Sequence, residues 1–215
     1  MKKIKLFLLL SLWSMNVLGT QSKEVTFWDW FSKNENNLFY LEKDQERLLD
    51  SISSALNEYE DGLVFEISNP LNGKRKFIIS ADGISELFPS VQALSKAAPV
   101  LDKWEVIAFR PRMEDYQNFK IDYAGNEIDA SKIWIYYRIQ DGFFDLIIYH
   151  PEYTDEERDL FVSASYILLD MALGEYNVTT GIRYIDHQRL PADPTNVGLL
   201  PFSELRNAFD SYNNK

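Results

Sequence analysis

The chain has 215 residues, 46% of them hydrophobic, with 33 acidic residues against 22 basic ones and no cysteine. The missing cysteine excludes disulfides, thiol catalysis, a lipidated cleavage-site cysteine and cysteine-rich metal sites. A formal charge of −11 is repelled by nucleic acid and by anionic lipid, so neither is an expected partner.

Lys2, Lys3 and Lys5 precede an apolar run from Leu6 to Leu18, and Val17-Leu18-Gly19 stands before Thr20. This is the pattern of a secretory leader, and the run is shorter than the ~20 residues of a spanning helix. We therefore expect residues 1–19 to be a signal peptide and residues 20–215 to be one exported domain. The destination expected is a bacterial periplasm or the medium, with no stable membrane insertion after cleavage. Without the leader, 19 basic residues face 33 acidic ones, a formal charge of −14. Such a surplus suits solubility, a basic partner or a cation site. A core of this size stands without disulfides.

Phe27, Trp28, Trp30 and Phe31 crowd the start of the exported chain. On a helix capped by Thr26, Phe27, Trp30 and Phe31 share a face with Trp28 at its edge. Two readings follow: a plug for the core, or an aromatic platform in which Trp28 binds a ligand. The core reading has the better claim, because large aromatic side chains are usually buried.

Asp44 to Asp61 has the spacing of an amphipathic helix, with Leu49, Ile52, Leu56 and Tyr59 recurring at helical intervals and Gly62 as its stop. Leu63–Ser68 and Arg75–Ser80 flank Asn72-Gly73 and predict a hairpin with a lengthened loop. Pro89 starts a short helix, and Trp104–Phe109 is the next strand. Further strands are expected near Phe119–Tyr123, Ile133–Gln140 and Phe143–His150, the last two joined by Asp141-Gly142. On Ile133–Gln140, Trp134, Tyr136 and Arg138 share the face opposite the aliphatic one. Thr154 and Glu157 form a capping box for a helix that is apolar nearly all round and runs to about Leu173. Tyr176–Ile185 is expected as a strand and Pro201–Tyr212 as a closing helix. The fold class is α+β. A mainly antiparallel sheet of six to seven strands would pack on the buried helix near 154–173 and on the terminal helices.

The chain contains no phosphate-binding loop, dinucleotide fingerprint or nucleophile elbow, and only two histidines, His150 and His187. No cofactor and no metal site is expected. Asp82, in Ser80-Ala81-Asp82-Gly83, stands at a strand end, either as turn chemistry or as a carboxylate at a cleft mouth. Arg110 and Arg112, separated by Pro111, either fork an anion or pair with the protein's own acids. Glu175 follows the buried helix and is a base if it points inward, or an arginine's partner. Asp145 or Asp186 beside the histidines offers a weaker general-base pairing without a nucleophile.

The blocks "WDWFSKNENNLF", "IISADG", "FPSVQALSKAAPVLDKWEVIAFRPR" and "LDMALGEY" together resemble an uncharacterised family of bacterial α+β proteins with no established activity. The resemblance spans most of residues 20–215. It implies one domain in which these blocks meet, and it assigns no site.

Two functions fit these residues. The first is an interaction module of the envelope that docks a basic protein or an envelope component. The second is a hydrolase in which Asp82 and Glu175 serve as acid or base while Arg110 and Arg112 hold an anionic group.

Overall fold

Ser22 opens the first helix: its hydroxyl accepts from the Val25 amide at 3.4 Å, one turn before the crowded aromatics. The computed structural model describes residues 21–213, so the expected leader at 1–19 lies outside them. Helix α1, Lys23–Phe39, lays Phe27, Trp28 and Phe31 into a core with Phe77 and Trp104. The Phe31 ring centroid stands 5.0 Å from that of Phe77 and 5.2 Å from that of Trp104. Trp28 is 3% exposed, and its indole N–H donates to the Leu94 carbonyl at 2.8 Å. A buried indole needs such a partner. The aromatics are therefore a plug for the core, and Trp28 offers no face to a ligand.

The first half is completed by α2 (Gln45–Tyr59), β1 (Val64–Ile67), β2 (Arg75–Ser80), α3 (Phe88–Lys96) and β3 (Trp104–Ala108). β1 pairs antiparallel with β2, and β3 pairs parallel to β2. Side chains alternate across a strand. Phe77 and Ile79 enter the first core, while Ile78 points the other way, toward the second half.

A second core belongs to the C-terminal half. It contains β4 (Lys120–Tyr123), β5 (Asn126–Asp129), β6 (Trp134–Gln140), β7 (Phe143–His150), α4 (Arg158–Leu173), α5 (Glu175–Gly181), β8 (Ile182–Arg189), β9 (Leu200–Pro201) and α6 (Leu205–Asn213). Asp141 and Gly142 turn β6 into β7 at φ 53° and 76°, the geometry a two-residue hairpin demands. At the head of α4 the Thr154 hydroxyl accepts from the Glu157 amide at 3.3 Å and donates to the Glu157 carboxylate at 3.5 Å. The capping pair thus forms, and the helix begins after it, at Arg158.

The body is α+β, but its strands form three small sheets instead of one mainly antiparallel sheet. Their orders are β1-β2-β3, β4-β5 and β8-β7-β6-β9. Among the described residues, four of the six strand pairings are antiparallel, as expected, and two are parallel. In each half a hairpin is followed by a helical crossover that returns the chain parallel to the hairpin's second strand: β2 through α3 to β3, and β7 through α4 and α5 to β8. This topology recurs although the sequence shows no repeat. The start of the expected 176–185 strand is helical, since Glu175–Gly181 forms α5 and β8 begins at Ile182. Among the described residues no helix is long and apolar enough to cross a membrane.

Candidate functional site

The parallel strands β2 and β3 end together where the two cores meet, and the chain beyond each end is held in unusual backbone geometry. Asp82 and Gly83 follow β2 at φ 51° and 78°; Phe109 follows β3 at φ 65°. Asp tolerates the left-handed region, but for a phenylalanine the cost is about 1–2 kcal/mol. That backbone turns three amides onto one carboxylate. Glu175 accepts from Ala81 at 2.9 Å and from Gly83 at 3.3 Å through Oε1, and from Arg110 at 3.0 Å through Oε2. The Glu175 amide in turn donates to the Arg110 carbonyl at 3.0 Å. Gly174, at φ 81°, makes this approach possible, because a Cβ there would lie 3.3 Å from that same carbonyl. Tyr176 completes the seam by packing on Phe88 and Phe109, with ring centroids 5.6 and 5.3 Å away.

Glu175 is fully buried and does not line any open space. It clasps the two halves through backbone amides, that of Arg110 among them, and among the described residues no guanidinium pairs with it. Arg112 is structural as well. Its Nε donates to the Leu173 carbonyl at 2.8 Å, and its two terminal nitrogens fork Asp210 at 2.8 and 2.7 Å. It thereby ties α6 to the end of α4, and that pairing holds the Asp210 carboxyl below its usual range.

Asp82 and Arg110 do come together, over a groove of about 930 Å³ lined from both halves. Arg110 Nε donates to Glu66 at 2.6 Å, and its Nη1 faces Asp82 at 3.0 Å and Asp170 at 3.5 Å. Burial alone would lower the pKa of this guanidinium. The hydrogen bonds to Glu66 and Asp82 outweigh it and keep the group charged. Glu66 and Asp82 stand at the rim, while Asp170 is recessed, with 15% of its side chain exposed. Burial pushes the Asp170 carboxyl up to about 7; Arg110 opposes the shift, and the negative charges of Glu175 and Asp82 add to it. The remaining walls are largely apolar, with Ile78, Tyr166, Ile167 and Met171 prominent among them.

Asp170 is the site residue that sequence reasoning missed. A signal was present: it is the only carboxylate between Phe161 and Leu173 of an apolar helix. A charge in such a run is either paired or functional. Asp145 is gripped by Arg183 at 2.6 Å and Arg138 at 3.2 Å, and Asp186 faces Arg158 at 3.4 Å. Neither carboxylate is hydrogen-bonded to a histidine. His150 Nε2 instead meets the Ser165 hydroxyl at 2.8 Å inside the second core. Among the described residues no group of three or more His, Asp or Glu is placed to hold a metal ion. No protein-family model, curated protein or solved structure matches the chain.

Proposed function

We propose that the protein is an exported binding module that docks a basic protein or an envelope component in the groove between its two cores. One observation carries the reading. A concave site of about 930 Å³ is lined by both halves, with Glu66, Asp82 and Asp170 gathered around Arg110 at its polar end. Binding sites of this kind are concave and mostly apolar, with a few convergent polar groups that orient the ligand. The opposed cores supply rigid walls, and the Glu175 clasp holds them in register.

The test is affinity capture from an envelope fraction by the wild-type protein and by Ser163→Trp, which fills the groove from its α4 wall. A partner retained by the first and lost by the second supports the reading. A partner retained equally by both contradicts it.

A carboxylate hydrolase is the second reading, favoured by the raised pKa of Asp170 beside Asp82 on one arginine. Asp170 would be the general acid and Asp82 the ionised partner. Glu175 takes no part, because its carboxylate is occupied by three amides and closed to substrate. Turnover of a glycoside or ester that Asp170→Asn abolishes supports this reading; equal turnover by wild type and variant removes it.

A further inference from the structure

Three carboxylates meet one guanidinium at the polar end of the groove, and a fourth lies buried behind them. Glu66 (β1), Asp82 (after β2) and Asp170 (α4) all lie on Arg110, and the buried Glu175 (start of α5) stands beneath, held by amides alone. Arg183 of β8 also lines the groove, but it faces Asp145, which it shares with Arg138 at 2.6 and 3.2 Å; counting both arginines and Asp145, three positive charges still stand against five carboxylates. The local balance is therefore short of positive charge, in a recess with apolar walls. An anion would meet the acids around Arg110, whose guanidinium already has three carboxylate partners.

Resting on the reading of the groove as a binding site, we infer that it takes a basic side chain of a partner polypeptide, the ammonium or guanidinium lying among Glu66, Asp82 and Asp170 and its aliphatic stem along Tyr166 and Ile167. A lysine or arginine stem suits such walls, since these side chains bury methylenes while the charged head seeks oxygen. The arriving cation favours the ionised form of Asp170. Asp170 faces Arg110, Asp82 and Glu175, and is otherwise protonated in part near neutral pH. Binding is then coupled to proton release, and affinity rises with pH across neutrality.

The experiment titrates the isotope-labelled protein with acetyl-Leu-Lys-Leu-amide and follows the amide resonances of Gly83 and Thr179, which line the groove. The norleucine and glutamate analogues and spermidine serve as comparisons. Saturable shifts with the lysine peptide are expected, at least roughly tenfold tighter than with norleucine. Asp82→Asn is expected to weaken binding by roughly tenfold; asparagine keeps the backbone geometry of that turn. Between about pH 6 and about pH 8 the wild-type affinity should rise several-fold, and that of Asp170→Asn should stay flat. Equal or tighter binding of the norleucine or glutamate peptide overturns the cation inference and leaves the groove a binding site. Spermidine binding more tightly than the lysine peptide overturns the polypeptide source. If none of the probes moves the groove amides, the groove reading falls as well.

Discussion

Arg110 and Glu175 hold one another through the backbone in both directions: each donates its amide to the other residue, at 3.0 Å, one to a carboxylate and one to a carbonyl. The side chain of Arg110 is thereby free to face the groove, while that of Glu175 faces inward. A residue pair that sequence reasoning offers as anion holder and base is thus divided between two roles, organising the acids and clasping the halves.

Glu175→Ala leaves the amides of Ala81, Gly83 and Arg110 without their acceptor. Each buried unpaired donor costs at least about 1 kcal/mol, so with three of them a loss of at least about 3 kcal/mol is expected. Glu175→Gln keeps one acceptor oxygen but turns an NH₂ toward an amide, and should cost about half as much. Urea denaturation of the two variants measures both values.

Asp170 acts on stability through its raised pKa. The folded value is about 7 against 3.8 for an ordinary Asp, so the protonated form is favoured by folding. That contribution is fully present below about pH 4 and is lost as pH rises through 7; three units correspond to about 4 kcal/mol. Asp170→Asn should therefore be the more stable protein at pH 8 and lose this advantage toward pH 4. Thermal melts of variant and wild type across the range check the crossing.

The two histidines act with the opposite sign. Their rings stack with centroids 6.1 Å apart in the second core, and burial lowers His150 to about 3 and His187 to about 4. Both are neutral in the fold. The stability this represents is complete above the unfolded value near 6.5 and is lost as pH falls toward 4. Both ring nitrogens of His187 are buried and lack a partner among the described residues. His187→Phe should then cost little at pH 7.5 and recover up to about 3 kcal/mol near pH 4. Denaturation midpoints of the variant relative to wild type at the two pH values isolate this effect from that of Asp170.

Gly181 ends α5 directly against α6. A Cβ at this position would sit 2.5 Å from Cζ of the fully buried Phe209. Gly181→Ala should destabilise by about 1–3 kcal/mol, since a packed ring in that core has no room to retreat. The double variant with Phe209→Leu should recover part of the loss, measured as a denaturation midpoint.

Local chemistry made some of this legible in the sequence. Asp141-Gly142 announces its hairpin because both residues accept positive φ, and the aromatic run at Phe27 declares a buried face by its spacing. Pairing between distant segments leaves no such local trace. Nothing in Val106 or Ile185 says that β3 and β8 run parallel to their neighbours, because that follows from where the crossover helices pack. Ala124-Gly125 turns β4 into β5 without the asparagine that marks such turns. Tyr176-Asn177-Val178-Thr179-Thr180 has the β-branched content of a strand. Its helix is imposed by Gly174 and the anchored Glu175, a tertiary cause. Of the site, Asp82 and Arg110 were visible as a strand-end carboxylate and a guanidinium after a strand. Their meeting with Asp170 depends on the last turn of α4 arriving beside Arg110, just after β3 ends.

The central claim is that a partner sits in the groove, and site-directed photocrosslinking tests it most directly. Tyr166 lines the groove and Tyr184 does not, although its neighbours Arg183 and Ile185 on β8 do; the two tyrosines are similarly exposed, at 46% and 51%. Each is replaced in turn, Tyr166→p-benzoylphenylalanine and Tyr184→p-benzoylphenylalanine, and the protein is irradiated with an envelope fraction. The account predicts a discrete adduct from position 166, suppressed by Ser163→Trp, and none from position 184. An adduct from 184 alone would contradict it.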